Sequence, residues 1–253
     1  MDNTLQQFSG YYVDVAASKN IPQVLEQINA LPASTPILVD VKTSFGDFLY
    51  SSKVGEFHAS DTSGMDQLIR ELTGSGRYVI ARFPALRDWQ YGVAHVPCGI
   101  HHISRQYLWD DEYGYYWLDP TIQGTMDYLV RIIGELRDLG FDEVVLEDFA
   151  IPNASDVSFQ SDRHQVLTDA AKSLVNACAS DRFAVSFQAD LSTFTMPEGR
   201  SRLYLKDADA AQAASIAQQA GVADTKVNLV FLTTVHDTRF DEYSVVRPLD
   251  AAH

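Results

Sequence analysis

The sequence predicts an α/β fold, a β/α barrel, from three observations. Its 253 residues match the usual length of one such barrel. Short β-branched runs alternate with segments of helical periodicity, the pattern of repeated βα units around a parallel sheet. Polar residues recur at the C-terminal ends of these runs, the end at which β/α barrels carry their binding sites. No linker, repeat or change of composition divides the chain, so we expect a single domain over residues 1–253.

The strand pattern supplies seven runs rather than eight. They cover residues 11–15, 37–42, 77–83, 143–149, 183–188, 203–205 and 227–235. The predicted barrel is therefore TIM-like but irregular or incomplete, unless one strand lacks the pattern.

Helices are predicted at 22–31, 65–72, 121–139, 165–179 and 208–220. In the longest one, Asp119 suits the N-cap, Pro120 the first turn, and Gly140 a left-handed end. No helix is evident between the fifth and sixth strands.

A long excursion, residues 84–118, follows the third strand. It holds eight aromatic residues between Trp89 and Trp117, including all three tryptophans of the chain. This density argues against disorder, and loops of this length in compact domains are usually functional.

The charge and hydropathy of the chain make several classes of partner unfavourable. The formal net charge of −15 disfavours nucleic acid and anionic membranes. A neutral or cationic ligand fits better, with neutral sugars among the candidates, although the acidity is equally consistent with a solubility trait. No apolar run is long enough to span a bilayer, and the start lacks the pattern of a signal peptide.

The sequence predicts no metal and no cofactor. Cys98, His101 and His102 have loosely metal-like spacing but lack a second half, and the other cysteine, Cys178, is distant. The chain also lacks the phosphate-binding, dinucleotide-binding, zinc-protease and nucleophile-elbow motifs.

Charged and amide side chains cluster where the predicted strands end. They are Asp40 and Lys42, Arg82, Glu147 and Asp148, Gln188 and Asp190, and His236 and Asp237. Because side chains alternate along a strand, only one of Glu147 and Asp148 can face the barrel axis, and we favour Glu147.

Each of these groups also has a structural interpretation. Asp40, Lys42 and Arg82 could form an ion-pair network that fixes the barrel mouth. Asp148 could anchor a loop, His236 could be a core histidine, and the tryptophans could close one barrel end by packing.

Four segments resemble a known family: Gly10-Tyr11-Tyr12, residues 38–42 (Leu-Val-Asp-Val-Lys), residues 78–83 (Tyr-Val-Ile-Ala-Arg-Phe) with Asp88, and Trp117-Leu118-Asp119-Pro120 with Gly140-Phe141-Asp142-Glu143. They are similar to the bacterial "putative glycoside hydrolase" family with a TIM-barrel domain. That family usually continues Phe-Asp-Tyr-Val-Arg-Phe-Pro where this chain has residues 146–152. Glu147 thus replaces an aspartate, Asp148 a tyrosine and Ala150 an arginine.

The resemblance implies a glycoside hydrolase that acts on a polysaccharide or glycan through paired carboxylates. We expect Glu147 and Asp190 to be catalytic, with Asp40 and Asp237 as further candidates for the partner. The expected substrate-binding residues are Asp40, Lys42, Arg82, Trp89, Trp109, Tyr115, Trp117, Asp148, Gln188 and His236. The alternative, favoured by the changed motif and by the lack of an identifiable eighth strand, is an inactive barrel that binds glycan or another cell-surface ligand. The resemblance also suggests export or a cell-surface location, and the sequence does not indicate an oligomeric state.

Overall fold

A computed structural model describes residues 4–252 as a closed barrel of eight parallel strands. The barrel strands are β1 (Ser9–Val13), β2 (Ile37–Asp40), β3 (Val79–Pro84), β5 (Glu143–Glu147), β7 (Ala184–Gln188), β8 (Leu203–Lys206), β9 (Leu229–Leu232) and β10 (Ser244–Pro248). Two short strands, β4 (His101–His102) and β6 (Val157–Ser158), form a separate antiparallel pair. Around the barrel the order is β1-β10-β9-β8-β7-β5-β3-β2. The predicted β/α barrel is confirmed.

Strand β10 is the one that the sequence pattern missed. It closes the barrel by pairing in parallel with β1, where Ser9 lies opposite Val245, and with β9. Its only β-branched run is Val245-Val246, and Pro248 ends it, so the local signal is too short to identify a strand. The barrel is therefore complete rather than open.

All seven predicted strands differ from the observed ones by one to three residues at one or both ends, and β1 and β9 are examples. β1 begins at Ser9 rather than at residue 11, and β9 ends at Leu232 rather than at residue 235. His236 and Asp237 consequently lie in the loop after β9 and not at its end.

The helices are α1 (Ile21–Asn29), α2 (Ser63–Thr73), α3 (Trp89–Ala94), α4 (Gln123–Asp138), α5 (Arg163–Cys178), α6 (Ala213–Gln219) and α7 (Thr225–Asn228). The buried face of α4 includes Leu129, Ile133 and Leu136, as expected for an amphipathic helix against a sheet. No α-helix joins β7 to β8, as the sequence indicates.

The predicted start of α4 is wrong and its predicted end is confirmed. The helix begins at Gln123, and the Asp119 side chain instead accepts hydrogen bonds from the amide and hydroxyl of Thr121. Gly140 has φ +97°, the left-handed geometry that lets the chain leave the helix.

Side chains inside the barrel form three layers. The middle layer is apolar and buried, with Leu38, Ile80, Val145, Val230 and Val246. Because side chains alternate, residues two positions further along β2, β3 and β5 also face inward, and these are Asp40, Arg82 and Glu147. The layer at the N-terminal end is built on Glu143, two positions before Val145.

The carboxylate of Glu143 is fully buried and accepts hydrogen bonds from four side chains. Tyr78 and Tyr204 donate their hydroxyls over 2.8 and 2.9 Å, and Ser186 donates over 2.6 Å. The guanidinium of Arg202 forms an ion pair with it. This satisfied network closes the barrel at the end opposite the mouth.

The excursion of residues 84–118 is ordered. It contains α3 and β4, and isolated bridges pair Arg87 with Trp117, Gly99 with Leu118, and Asp110 with Tyr116. No helix in the described part of the chain is long and apolar enough to cross a membrane.

Candidate active site

The layer at the mouth of the barrel is a chain of four hydrogen-bonded side chains. Arg82 on β3 donates from Nε to Oδ1 of Asp40 over 2.6 Å and from Nη2 to Oδ2 over 3.0 Å. Its Nη1 donates to Oε1 of Gln188 over 3.0 Å. Because that oxygen accepts, the Gln188 amide nitrogen faces Glu147, 3.4 Å from its Oε1. Strand ends that are remote in sequence thus meet, as the strand-end pattern predicts.

Burial and charge act in opposite directions in this layer. Burial raises the pKa of Asp40, and the charge and hydrogen bonds of Arg82 counteract part of the rise. Burial opposes the charge on Arg82, but Asp40 and Glu147 more than offset it and raise the pKa of the guanidinium. Arg82 therefore stays charged, and its Nε, Nη1 and Nη2 all donate to side chains at the barrel mouth.

The cleft above this layer has two lobes that meet at Val15, Asp40 and Glu147. The polar lobe has a volume of about 300 Å³, and its other lining residues include Tyr12, Asp14, Arg82, Lys206, Asp207, Thr233 and Thr234. The aromatic lobe has a volume of about 510 Å³, and its other lining residues include Lys42, Phe45, Asp47, Arg87, Tyr113 and Tyr115. Glu147 is thus accessible from both lobes.

Asp207 is a carboxylate of the cleft that sequence reasoning missed. It directly follows β8, has φ +55°, and its amide donates to the carbonyl of Leu232. Its carboxylate lies close enough to Tyr12 to raise the pKa of that phenol, together with burial, which is the larger cause. The available signal was the position of Lys206-Asp207 at the end of the short sixth predicted strand, the same signal that selected Glu147.

Lys42 is buried and holds the loop that follows β3. Its Nζ lies 2.8 Å from Oδ2 of Asp88 and donates to the carbonyl of Pro84 over 3.2 Å. Asp88 also caps α3 by accepting from the Tyr91 amide, and it accepts from the Tyr128 hydroxyl over 3.0 Å. Lys42 lines the aromatic lobe, but its charge is already paired. These contacts therefore favour a structural role for Lys42, as part of an ion pair, over the predicted role in substrate binding.

Asp148 is turned away from the barrel axis. It has φ +50° and lines neither lobe, whereas its neighbour Glu147 lines both. Burial raises the pKa of Asp148, while Arg87, Lys42 and a hydrogen bond with Ser44 lower it. These contacts agree with a loop-anchoring role rather than the predicted substrate contact.

The predicted tryptophans are engaged in contacts with other residues of the protein and line neither lobe. Trp89 stacks between Phe45, at 4.8 Å, and Tyr116, at 6.1 Å. Trp109 donates to Asp156 over 2.8 Å, and Trp117 donates to Oδ2 of Asp111 over 3.0 Å. Of the four predicted aromatics only Tyr115 reaches the cleft.

The hairpin of residues 109–117 is organised by Asp111. Its carboxylate accepts from Arg87, from the Trp117 indole and from the amides of Tyr113 and Tyr115. Burial opposes the charge, but the hydrogen bonds from Tyr115, Trp117 and Tyr113, together with Arg87, keep the pKa of Asp111 below its usual value. The Arg87 guanidinium also lies 4.6 Å from the Tyr115 ring centroid.

Asp190 and His236 lie outside the cleft. Both are exposed, and neither lines either lobe. Asp237 pairs with Arg239 over 2.7 Å, and the hydrogen bonds from that residue lower the pKa of Asp237 to about 2. These three predicted residues follow the ends of β7 and β9, and none of them lines either lobe. The structure gives no support to a Glu147–Asp190 or a Glu147–Asp237 pair.

Two larger cavities, of about 870 and 980 Å³, lie at the opposite end of the barrel. Thr4, Leu5, Asp181 and Arg200 line both of them, and neither contains a residue of the mouth. Size alone therefore does not locate the site, because β/α barrels bind ligands at the C-terminal ends of their strands. In residues 4–252 no group of three or more His, Cys, Asp and Glu side chains is arranged to hold a metal ion.

A family model described as "Putative glycosyl hydrolase domain" matches residues 8–195. The chain belongs to this family. The matched segment contains Asp40, Arg82, Glu147 and Gln188, and it ends before Asp207. No curated protein sequence matches the chain significantly.

Solved structures similar to this chain are barrels of low sequence identity. A hypothetical protein from Ruminiclostridium thermocellum has a TM-score of 0.59 and 18% identity, over 70% of this chain and 96% of that chain. An α-galactosidase from Geobacillus stearothermophilus in complex with raffinose has a TM-score of 0.63 and 8% identity, over 98% of this chain and 39% of that chain. Ega3 of Aspergillus fumigatus in complex with galactosamine has a TM-score of 0.54 and 10% identity, over 99% of this chain and 94% of that chain. These likenesses establish the shared fold.

Proposed function

We propose that the protein is a glycoside hydrolase in which Glu147 is a catalytic carboxylate. The observation that carries this proposal is the position of Glu147 at the junction of two lobes, held by Gln188, Arg82 and Asp40. A carboxylate that is oriented by other side chains and open on two sides can face a bond between two sugars. Family membership and the carbohydrate complexes of the similar barrels support the same class of reaction.

Glycoside hydrolysis commonly needs a second carboxyl group, and we assign that role to Asp207. It lines the polar lobe together with Glu147, whereas Asp190 lines neither lobe. The other carboxylates of this lobe are already engaged, since Asp40 pairs with Arg82 and Asp14 accepts from the amide of Ala17. One carboxylic acid donates its proton to the glycosidic oxygen as the bond from that oxygen to C1 breaks. The other carboxylate either bonds to C1 or takes a proton from the attacking water. The displaced sugar leaves with the donated proton, and water supplies the hydroxyl group at C1. If the carboxylate has bonded to C1, water breaks that bond and gives its proton to the residue that acted as the acid.

The polar lobe also offers groups that bind sugar hydroxyls. The hydroxyls of Tyr12, Thr233 and Thr234 donate and accept, and the carboxylates accept. The similar barrels hold raffinose and galactosamine, so galactosides and hexosamine glycans are the substrates that we propose to examine first.

The test is hydrolysis of a glycan panel by the native protein and by Glu147→Gln, Asp207→Asn and Asp190→Asn. The panel contains p-nitrophenyl glycosides, raffinose, stachyose, and oligomers of galactosamine and of N-acetylglucosamine. We expect Glu147→Gln and Asp207→Asn to lose at least about a hundredfold in kcat/KM, since general acid–base catalysis alone contributes this much. Asp190→Asn is the matched control and should retain native activity.

Full activity in Glu147→Gln would overturn the assignment of Glu147. Glycan binding by the native protein without any cleavage would instead support the alternative of an inactive glycan-binding barrel. The changed segment at residues 147–150 is the observation that keeps this alternative in view.

A further inference from the structure

We propose that the aromatic lobe is a second sugar-binding subsite, so that the substrate is a glycan chain that passes Glu147 from one lobe into the other. The inference rests on the proposed function and deepens it by naming the substrate class. It predicts an enzyme for oligosaccharides or polysaccharides rather than for single sugars carrying a small leaving group.

The two lobes differ in chemistry although they share Glu147. The polar lobe is lined by hydroxyls and carboxylates, which suit hydrogen bonding to one sugar. The aromatic lobe presents Phe45, Tyr113 and Tyr115, whose flat apolar faces suit packing against the C–H face of a sugar ring. A chain that crosses the junction would therefore place one sugar on each side of the carboxylate.

The rings of the aromatic lobe are exposed and yet held in place. Phe45 is 42% exposed and Tyr113 is 72% exposed, and both line the same lobe. Phe45 stacks on Trp89 with an interplanar angle of 9°. The backbone of Tyr113 is fixed by its amide, which donates to Asp111 over 2.9 Å, and the Arg87 guanidinium lies 5.4 Å from the centroid of the Tyr113 ring. Surfaces that are ordered before binding lose less conformational entropy when a ligand arrives.

The cations of the aromatic lobe already have acidic partners. Lys42 pairs with Asp88, and Arg87 pairs with Asp111 over 2.7 Å. Asp40, Asp47 and Glu147 also line this lobe. An anionic sugar would find no unpaired cation among these groups and would meet three carboxylates, so the subsite should take neutral or amino sugars rather than uronic acids or sulfated sugars.

The test compares the chain-length dependence of the native protein with that of Phe45→Ala and Tyr113→Ala. The substrates are a p-nitrophenyl monosaccharide and the hexasaccharide of the same sugar, chosen from the panel above. We expect the ratio of kcat/KM for the hexasaccharide to that for the monosaccharide to fall about tenfold in each variant, in line with the loss of an aromatic packing contact.

Tyr107→Ala is the matched control. Tyr107 is 54% exposed, lies in the same excursion and stacks on His102, but it lines neither lobe. Its ratio should equal the native ratio. Because the Tyr113 ring lies at an exposed hairpin tip, removing it should not impair folding, and urea unfolding of the variant checks this.

Calorimetric binding of the same oligosaccharides to Glu147→Gln separates this inference from the proposed function. Binding that strengthens with chain length and weakens in the Phe45→Ala and Tyr113→Ala backgrounds would support the subsite, even if no glycan is cleaved. A ratio unchanged in both variants, binding that does not depend on chain length, or no binding of any oligosaccharide would overturn it.

Discussion

The side-chain amide of Gln188 lies 3.4 Å from the carboxylate of Glu147, and its direction is set by Arg82 rather than by Glu147 itself. An amide has one accepting and one donating end. Arg82 only donates, so it occupies the oxygen of Gln188 and leaves the nitrogen for the carboxylate. The long contact is one that a bound substrate could shorten, since catalytic hydrogen bonds often tighten only in the complex.

Replacing Gln188 tests this arrangement. Gln188→Leu removes the donor to Glu147, and we expect kcat/KM to fall by roughly ten- to a hundredfold, the equivalent of about 1.5–3 kcal/mol for a hydrogen bond to a charged group. Gln188→Glu places a second carboxylate beside Glu147 and should be more damaging. Steady-state kinetics with a cleaved glycan, beside thermal melting of each variant, distinguishes a positioning effect from unfolding. Native kinetics in Gln188→Leu would show that the contact is dispensable.

The buried pair of Lys42 and Asp88 should matter more for folding than for substrate contacts. Lys42→Met leaves Asp88 charged and buried without its cation, and breaking such a pair costs about 3–5 kcal/mol. Urea unfolding measures the loss. The double variant Lys42→Met/Asp88→Asn should recover much of it, because asparagine still caps α3 and carries no charge. No recovery in the double variant would mean that the pairing of charges is not the source of the stability.

The pH dependence of the hairpin should follow Asp111. The pKa of this carboxyl is lower in the folded protein than its ordinary value of 3.8. Its contribution to stability is therefore complete above about pH 3.8 and is lost as the pH falls from there through the folded pKa. Because Trp117 donates to Asp111, tryptophan fluorescence should report an acid transition in that range. Asp111→Asn should lose the transition while the rest of the acid unfolding curve persists.

The network around Glu143 should behave as a structural plug. Glu143→Ala leaves the buried guanidinium of Arg202 and the hydroxyl of Tyr204 without their acceptor, so we expect a loss of about 3–5 kcal/mol in the free energy of unfolding. Arg202→Met should cost a similar amount because it leaves Glu143 as an unpaired buried charge. Denaturant unfolding at neutral pH measures both. A variant at either position that is as stable as the native protein would contradict this account.

The sequence predicted the barrel well because the relevant signals are local. Alternation of strands and amphipathic helices can be recognised within windows of about a dozen residues. The same locality explains the errors. The short run at Val245-Val246 gave no signal for β10, although parallel pairing on both sides makes it the strand that closes the barrel.

The candidate site was predicted in part for the same reason. Strand-end position selected Asp40, Arg82, Glu147 and Gln188, which do meet at the mouth. It also selected Asp190 and His236, which line neither lobe, and it passed over Asp207. The tryptophans were predicted to bind sugar because their rings are large. In the structure Trp89 stacks between two other rings, and it is Phe45 and Tyr113 that line the cleft.

By itself the sequence determined that this chain forms a β/α barrel with its charges gathered at one end. Only the tertiary structure decided which charges pair, which face the cleft, and that the cleft has two lobes. The physical reason is distance along the chain. Arg82 and Gln188 are 106 positions apart, so their contact depends on how all the intervening strands are registered and not on the residues beside either one.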